Sequence, residues 1–161
     1  MTASGIAVPA LATHLIAATR EVFEKMVRTP LVTGEPIEGD ALRPASNVVG
    51  AVSFAGSQCG IVAFYATFGS AQRIASSLLS TPVDGREQIA DAVAELTNMI
   101  AGTFRNRMLT DGSMWAISIP AVTIGSDFYT KYVSDVRRVL CPFRAWDDEM
   151  FVEVILMRKP H

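Results

Sequence analysis

Apolar residues along the chain fall into segments of helical spacing and segments of strand-like alternation. Leu11, Leu15, Ala18, Val22 and Met26 recur at intervals of four, three, four and four, the period of one helix face. Pro9 suits the first turn, where a backbone N–H has no intrahelical acceptor. The spacing predicts a first helix that ends before Pro30, with these five residues on its apolar face. Thr33 to Pro44, rich in Gly, Pro and acidic residues, reads as a loop or short edge strand. Asn47–Phe54 and Gly60–Phe68 are dense in Val, Ile, Phe and Tyr on either side of Gly56-Ser57-Gln58, which predicts a β-hairpin. Ser70 is placed to cap a short helix carrying Ile74 and Leu78 and stopping before Pro82. Asp84 with Glu87 resembles a capping box and opens the longest periodic segment, to about Leu109.

Asp111-Gly112 reads as a turn, after which the pattern is strand: Met114–Ile119, then Ala121–Ile124. Pro120 has no backbone donor, so the segment has to bend, bulge or lie on an edge there. Val136–Trp146 and Met150–Met157 flank Asp147-Asp148 and predict a closing hairpin. The order α, β, β, α, α and then at least three strands fits an α+β domain: an antiparallel β-sheet packed against two long helices plus a short one. Residues 1–161 are expected to form a single domain, and the edges of such a sheet favour a homodimer.

Composition narrows the function classes. The 161 residues include 14 Lys+Arg and 16 Asp+Glu, a formal charge of −2, with half the residues apolar. The basic residues are scattered, not clustered as nucleic-acid binding demands. There is no run of about 18 apolar residues to span a membrane. The uncharged stretch before Arg20 lacks the basic region of a secretory signal and reads as the start of the first helix, so a cytoplasmic protein is expected. Cys59 and Cys141, with His14 and His161, offer no metal-ligand spacing. Both thiols are expected to be buried in strands, and no P-loop, G-x-G-x-x-G or nucleophile-elbow motif occurs. Trp115 and Trp146 are expected to pack in or against the sheet, and His14 to be structural or on the surface.

The long helix has two distinct faces. Ile89, Val93, Leu96, Ile100 and Phe104 form a core stripe. Almost opposite lie Asp91, Glu95, Asn98, Gly102 and Arg105, facing solvent or a partner. Gly costs about 1 kcal/mol relative to Ala in a helix interior and Asn several tenths. A Gly on an outward face admits close approach, and Asn offers both donor and acceptor on one amide. On periodicity alone, a solvated helix surface and a docking face both remain open.

Resemblance adds to this. A-E-L-T-N-M-I-A-G-T, Ala94–Thr103, resembles the E-x-x-N-x-x-x-G signature of the CheC/CheX family of chemotaxis phosphatases. Leu15–Met26 is similar to the first helix of CheX-type proteins, Gly50–Phe64 to their first hairpin, Ile117–Gly125 to the strands after the catalytic helix, and Cys141–Phe143 with Phe151–Leu156 to the closing hairpin. CheC-type members carry the Glu/Asn pair on both long helices, whereas CheX-type members carry one pair per chain and act as homodimers. Glu21 and Glu24 have no Asn three residues on, so the resemblance is to the CheX-like branch. Thr103 stands where the family often has a second Asn. It is expected to lie toward the core.

The resemblance implies hydrolysis of the aspartyl phosphate on a CheY-like response regulator. Asn98 would orient the attacking water and Glu95 would dock to a Lys of the regulator, with Asp91, Gly102 and Arg105 against the partner's surface. No cofactor belongs to the chain itself. Mg²⁺ is expected on the regulator's own carboxylates. Two alternatives carry different functions: a catalytically degenerate adaptor that binds a regulator without hydrolysis, and a purely structural dimer module.

Overall fold

The computed structural model describes residues 6–39, 44, 46–109, 114–128, 131 and 135–158, with Asp127 by its backbone only. The turn expected at Asp111-Gly112 lies outside the described residues. Helix α1 (Val8–Val22) runs into a single π-helical turn, Phe23–Val27. The short strands β1 (Val32–Thr33) and β2 (Ile37–Glu38) precede the hairpin β3 (Ser46–Ala55) and β4 (Gly60–Ala66). Helices α2 (Phe68–Leu79) and α3 (Arg86–Met108) follow, then β5 (Ala116–Ile117), β6 (Ala121–Phe128), β7 (Val136–Ala145) and β8 (Asp148–Met157).

The strands form one antiparallel sheet in the order β1-β7-β8-β4-β3-β5, with β2 also on β7 and β6 also on β3. Pro120 separates β5 from β6, and the two lie in tandem along β3 at the sheet's edge, which is where a missing N–H is tolerated. The architecture is the expected α+β one, with the short edge strands at 32–33 and 37–38. One boundary differs: the closing hairpin turns on Trp146-Asp147, both at positive φ (54° and 58°), and Asp148 pairs with Ala145. A two-residue turn of left-handed residues matches the twist of the flanking strands.

Apolar clusters occupy both faces of the sheet. The larger lies under the helices and includes Leu15, Phe23, Phe64, Ile74, Ile100 and Phe104. The smaller, around Tyr65, Leu140, Phe151 and Ile155, is on the opposite face. Beside it the Arg138 Nε donates to Glu153 Oε2 at 2.6 Å and the Tyr65 hydroxyl donates to Glu153 Oε1 at 2.5 Å. The carboxylate is completely buried. A buried charge requires such pairing. Glu153 in an otherwise apolar run, and Arg138 in the strand-like run before it, are the sequence signs of this network.

The helix caps differ from expectation. Thr67 caps α2, its hydroxyl accepting from the Ser70 N–H at 3.1 Å, and Phe68 belongs to the helix, not to β4. Asp148 at the start of β8 accepts from the hydroxyls of both Thr67 and Ser70 at 2.6 Å, fixing the helix start to the closing hairpin. Burial by itself raises the Asp148 carboxyl, but these hydroxyls, the Glu149 N–H and Arg144 together hold it below its ordinary value. In α3 the chain enters the helix at Gly85, with no side-chain cap. Asp84 is one position too early to bond the first-turn N–H groups. Cys59 is exposed, contrary to expectation, because it sits at the mouth of the β3–β4 turn. Cys141 is buried as expected, its thiol pushed up to about 12 by desolvation. Trp115 packs in the core, stacked on Phe54, and Trp146 is half-buried at the hairpin tip.

The orientation of α3 depends on Gly50 in β3. A Cβ there would lie 2.2 Å from Thr97 Oγ1 and 3.1 Å from Val93 Cγ1, so the helix rests directly on the strand's backbone. All five residues of the expected core stripe, Ile89 to Phe104, are buried. Val in place of Gly50 is expected to lower unfolding stability by about 1–3 kcal/mol, the cost of overpacking a filled interface, read as a lower urea midpoint at unchanged slope.

Candidate active site

With Val93, Leu96, Thr97 and Ile100 buried against the sheet, the rotation of α3 is fixed, and the residues about half a turn away face outward. Asp91 and Glu95 are exposed, and Asn98, Gly102 and Arg105 are half-buried. Neither the Glu95 carboxylate nor the Asn98 amide is engaged by any described residue. Arg105 makes a long contact, 3.4 Å, from its Nε to Asn106 Oδ1.

Asn98 and Gly102 face a cleft of about 380 Å³ between α1 and α3, closed at one end by Ile117. Its opposite wall carries Glu21 and Lys25, which pair at 2.8 Å. Each adjusts the other: Lys25 lowers the Glu21 carboxyl and Glu21 raises the Lys25 ammonium. Thr103 lines the same cleft and is half-buried. That corrects the expectation that it points to the core: the flank of α3 facing α1 is open at this level, where the cleft lies between the two helices. Glu95 and Asp91 border a second, smaller cleft of about 170 Å³ between α2, α3 and the π-helical turn. Met26 lines both.

Met26 is itself a departure. Its spacing from Val22 placed it on the buried face of α1, yet it is 38% exposed. The π-helical turn closes with an i→i+5 bond from the Arg28 N–H to the Phe23 carbonyl, so the inward position after Val22 falls five residues on, at Val27, instead of four. Phe23 and Val27, both buried, were the available sign of this change of register. Arg28, in the left-handed conformation that ends the turn, donates from Nη2 to the Ser77 carbonyl and the Ser80 hydroxyl at the end of α2. The guanidinium thereby adds a second donor to a carbonyl in the last turn of α2, which also accepts the Ser80 N–H at 3.3 Å.

Gly102 has open space where a Cβ would stand. Nothing among the described residues requires glycine there.

A three-helix layer on one face of an antiparallel sheet, with the Glu95 carboxylate and the Asn98 carboxamide one turn apart on the outward side of the middle helix in space, defines the α+β architecture. The sequence profile of the family described as "Chemotaxis phosphatase CheX" matches residues 48–144, more than half of the chain, and the protein belongs to that family. Solved structures of the same fold include the chemotaxis protein CheX from Desulfovibrio desulfuricans, 24% identical over 91% of this chain and 98% of that one, with a TM-score of 0.83. A putative chemotaxis protein from Desulfovibrio vulgaris Hildenborough is 25% identical over 95% and 98%, TM-score 0.84. The CheX–CheY–BeF3–Mg²⁺ complex from Borrelia burgdorferi gives 23% over 91% and 97%, TM-score 0.74. No curated protein sequence gives a significant match.

Because the position of Gly102 is unencumbered, Gly102→Ala is expected to stabilise the isolated chain by about 0.5–1 kcal/mol through helix propensity. Thermal unfolding would show it as a rise in Tm. A fall would mean that the chain itself needs the glycine.

Proposed function

We propose that the protein is a phosphatase acting on the aspartyl phosphate of a CheY-like response regulator. The observation that carries this reading is the Glu95/Asn98 pair, bonded to no described residue, on the outward face of a firmly seated helix, in a chain of the CheX family. Phosphoryl transfer passes through a loose transition state, so catalysis rests on positioning an in-line water and stabilising charge. The Asn98 carboxamide accepts a hydrogen bond from the water with its oxygen and donates from its NH₂ to a phosphoryl oxygen. The water oxygen bonds to phosphorus as the bond to the regulator's Asp oxygen breaks, releasing inorganic phosphate. No strong base is needed.

Glu95 pairs with a Lys beside the regulator's phosphorylation site and sets the approach of the helix. Gly102 lets the regulator's backbone come close, and Asp91 and Arg105 meet its surface. In this reading Mg²⁺ is held by the regulator's own carboxylates. No described helix is long and apolar enough to cross a membrane.

The chain works as a homodimer in this reading. Support comes from β6, which among the described strands pairs only with β3 and so presents an eight-residue edge with unpaired backbone groups to a second copy.

Two measurements test these statements. Asn98→Ala is expected to abolish accelerated dephosphorylation, a loss of about 100-fold or more, while regulator binding persists. Glu95→Ala should weaken binding as well. Unchanged decay of the phosphorylated regulator in the presence of wild-type protein that still binds it would leave an adaptor. Light scattering should give twice 17.4 kDa at micromolar concentration, and a monomer mass would remove the dimer.

A further inference from the structure

Two of the large apolar side chains exposed among the described residues, Met26 at 38% and Leu79 at 50%, line the 170 Å³ cleft beside Glu95. Its floor is Ala92 and Leu78, and its border is Asp91 and Glu95, with no cation among the lining residues. Small-molecule sites generally occupy about 300–1,000 Å³, so this cleft is too small for a metabolite. It has room for one side chain of a partner protein.

Its position also matters. The cleft shares Met26 with the larger one that Asn98 faces, so a body seated over both clefts meets Met26. The side chain is there only because the π-helical turn rotates it outward, and that turn is held by the Arg28 bonds to the end of α2. A register change that exposes a methionine sets an adaptable apolar surface at the junction of both clefts.

We propose that this cleft is the specificity pocket for the response regulator: it receives one apolar side chain of the regulator, carried next to a basic residue that meets Asp91 and Glu95. The inference rests on the phosphatase reading above and extends it to partner choice. Apolar contact at Met26 and Leu79 supplies affinity equally in the bound and reacting states, while the acidic border rejects a regulator with a carboxylate at that place.

The test uses the full-length protein and a panel of CheY-type regulators activated with BeF3⁻ and Mg²⁺, taking the one that wild type binds most tightly. Met26→Ala and Leu79→Ala are each expected to raise its Kd by about five- to tenfold, to raise KM for the phosphorylated regulator by a similar factor, and to leave kcat within about twofold. Leu79→Glu, at an exposed helix end, should weaken binding further with unchanged Tm. Met26→Leu should restore wild-type binding. Unchanged Kd and KM in both alanine variants would overturn the pocket, and if Asn98→Ala abolished hydrolysis in the same assay the phosphatase reading would stand without it. A fall in kcat alone would also overturn it, since that would be loss of catalytic geometry. Failure of wild type to bind any regulator in the panel overturns the pocket together with the reading it rests on.

Discussion

The contact between α3 and the backbone of β3 at Gly50 governs the rest of the molecule. A helix that carries apolar residues on one stripe can still roll by tens of degrees on a greasy sheet. Here the roll is stopped because Thr97 and Val93 sit against a residue with no side chain, and Thr97 ties its own hydroxyl back to the Val93 carbonyl at 2.7 Å. Thr97 lies between Leu96 and Asn98 in sequence. Fixing it inward fixes Asn98 on the flank and Glu95 outside, so a packing constraint in the core sets the aim of the polar pair.

The neighbouring elements shape what surrounds that pair. Helix α1 packs along α3 with the larger cleft between them, and its π-helical end reaches α2, where Arg28 fastens it. α2 in turn is fastened at its start by Asp148 from the closing hairpin. The clefts on the two sides of Met26 are therefore walled by elements tied at their ends to other parts of the fold. Preorganised walls lower the ordering cost of binding.

The sheet does more than support the helices. Its far face buries a second apolar cluster and the Arg138–Glu153–Tyr65 network, so β4 and β8 are covered on both sides at their centres. Burial of an ion pair is a weak source of stability by itself. Its strict pairing requirement does favour one register of β7 on β8, because a one-residue slip would leave a charge alone in the interior. The edges differ: β1 and β2 are two residues each, while β6 is long.

Spacing along the chain was enough to determine the element order, the antiparallel α+β architecture and the buried stripe of α3, because apolar period and turn residues are local properties of the sequence. It also placed Asp91, Glu95, Asn98, Gly102 and Arg105 on one outward face, since those intervals follow from helix geometry alone. The family resemblance in Ala94–Thr103 agreed with the profile match. Tertiary structure alone decided where periodicity breaks. Met26 turns outward because one π-helical turn shifts the register by a residue, Thr103 lines a cleft left between two helices, and Asp148, from seventy-eight and eighty-one residues away, ties the Ser70 and Thr67 hydroxyls at the start of α2. The cleft and the Asp148 tie depend on contacts between segments distant in sequence, which no local pattern encodes, whereas Phe23 and Val27 were a local sign of the register shift.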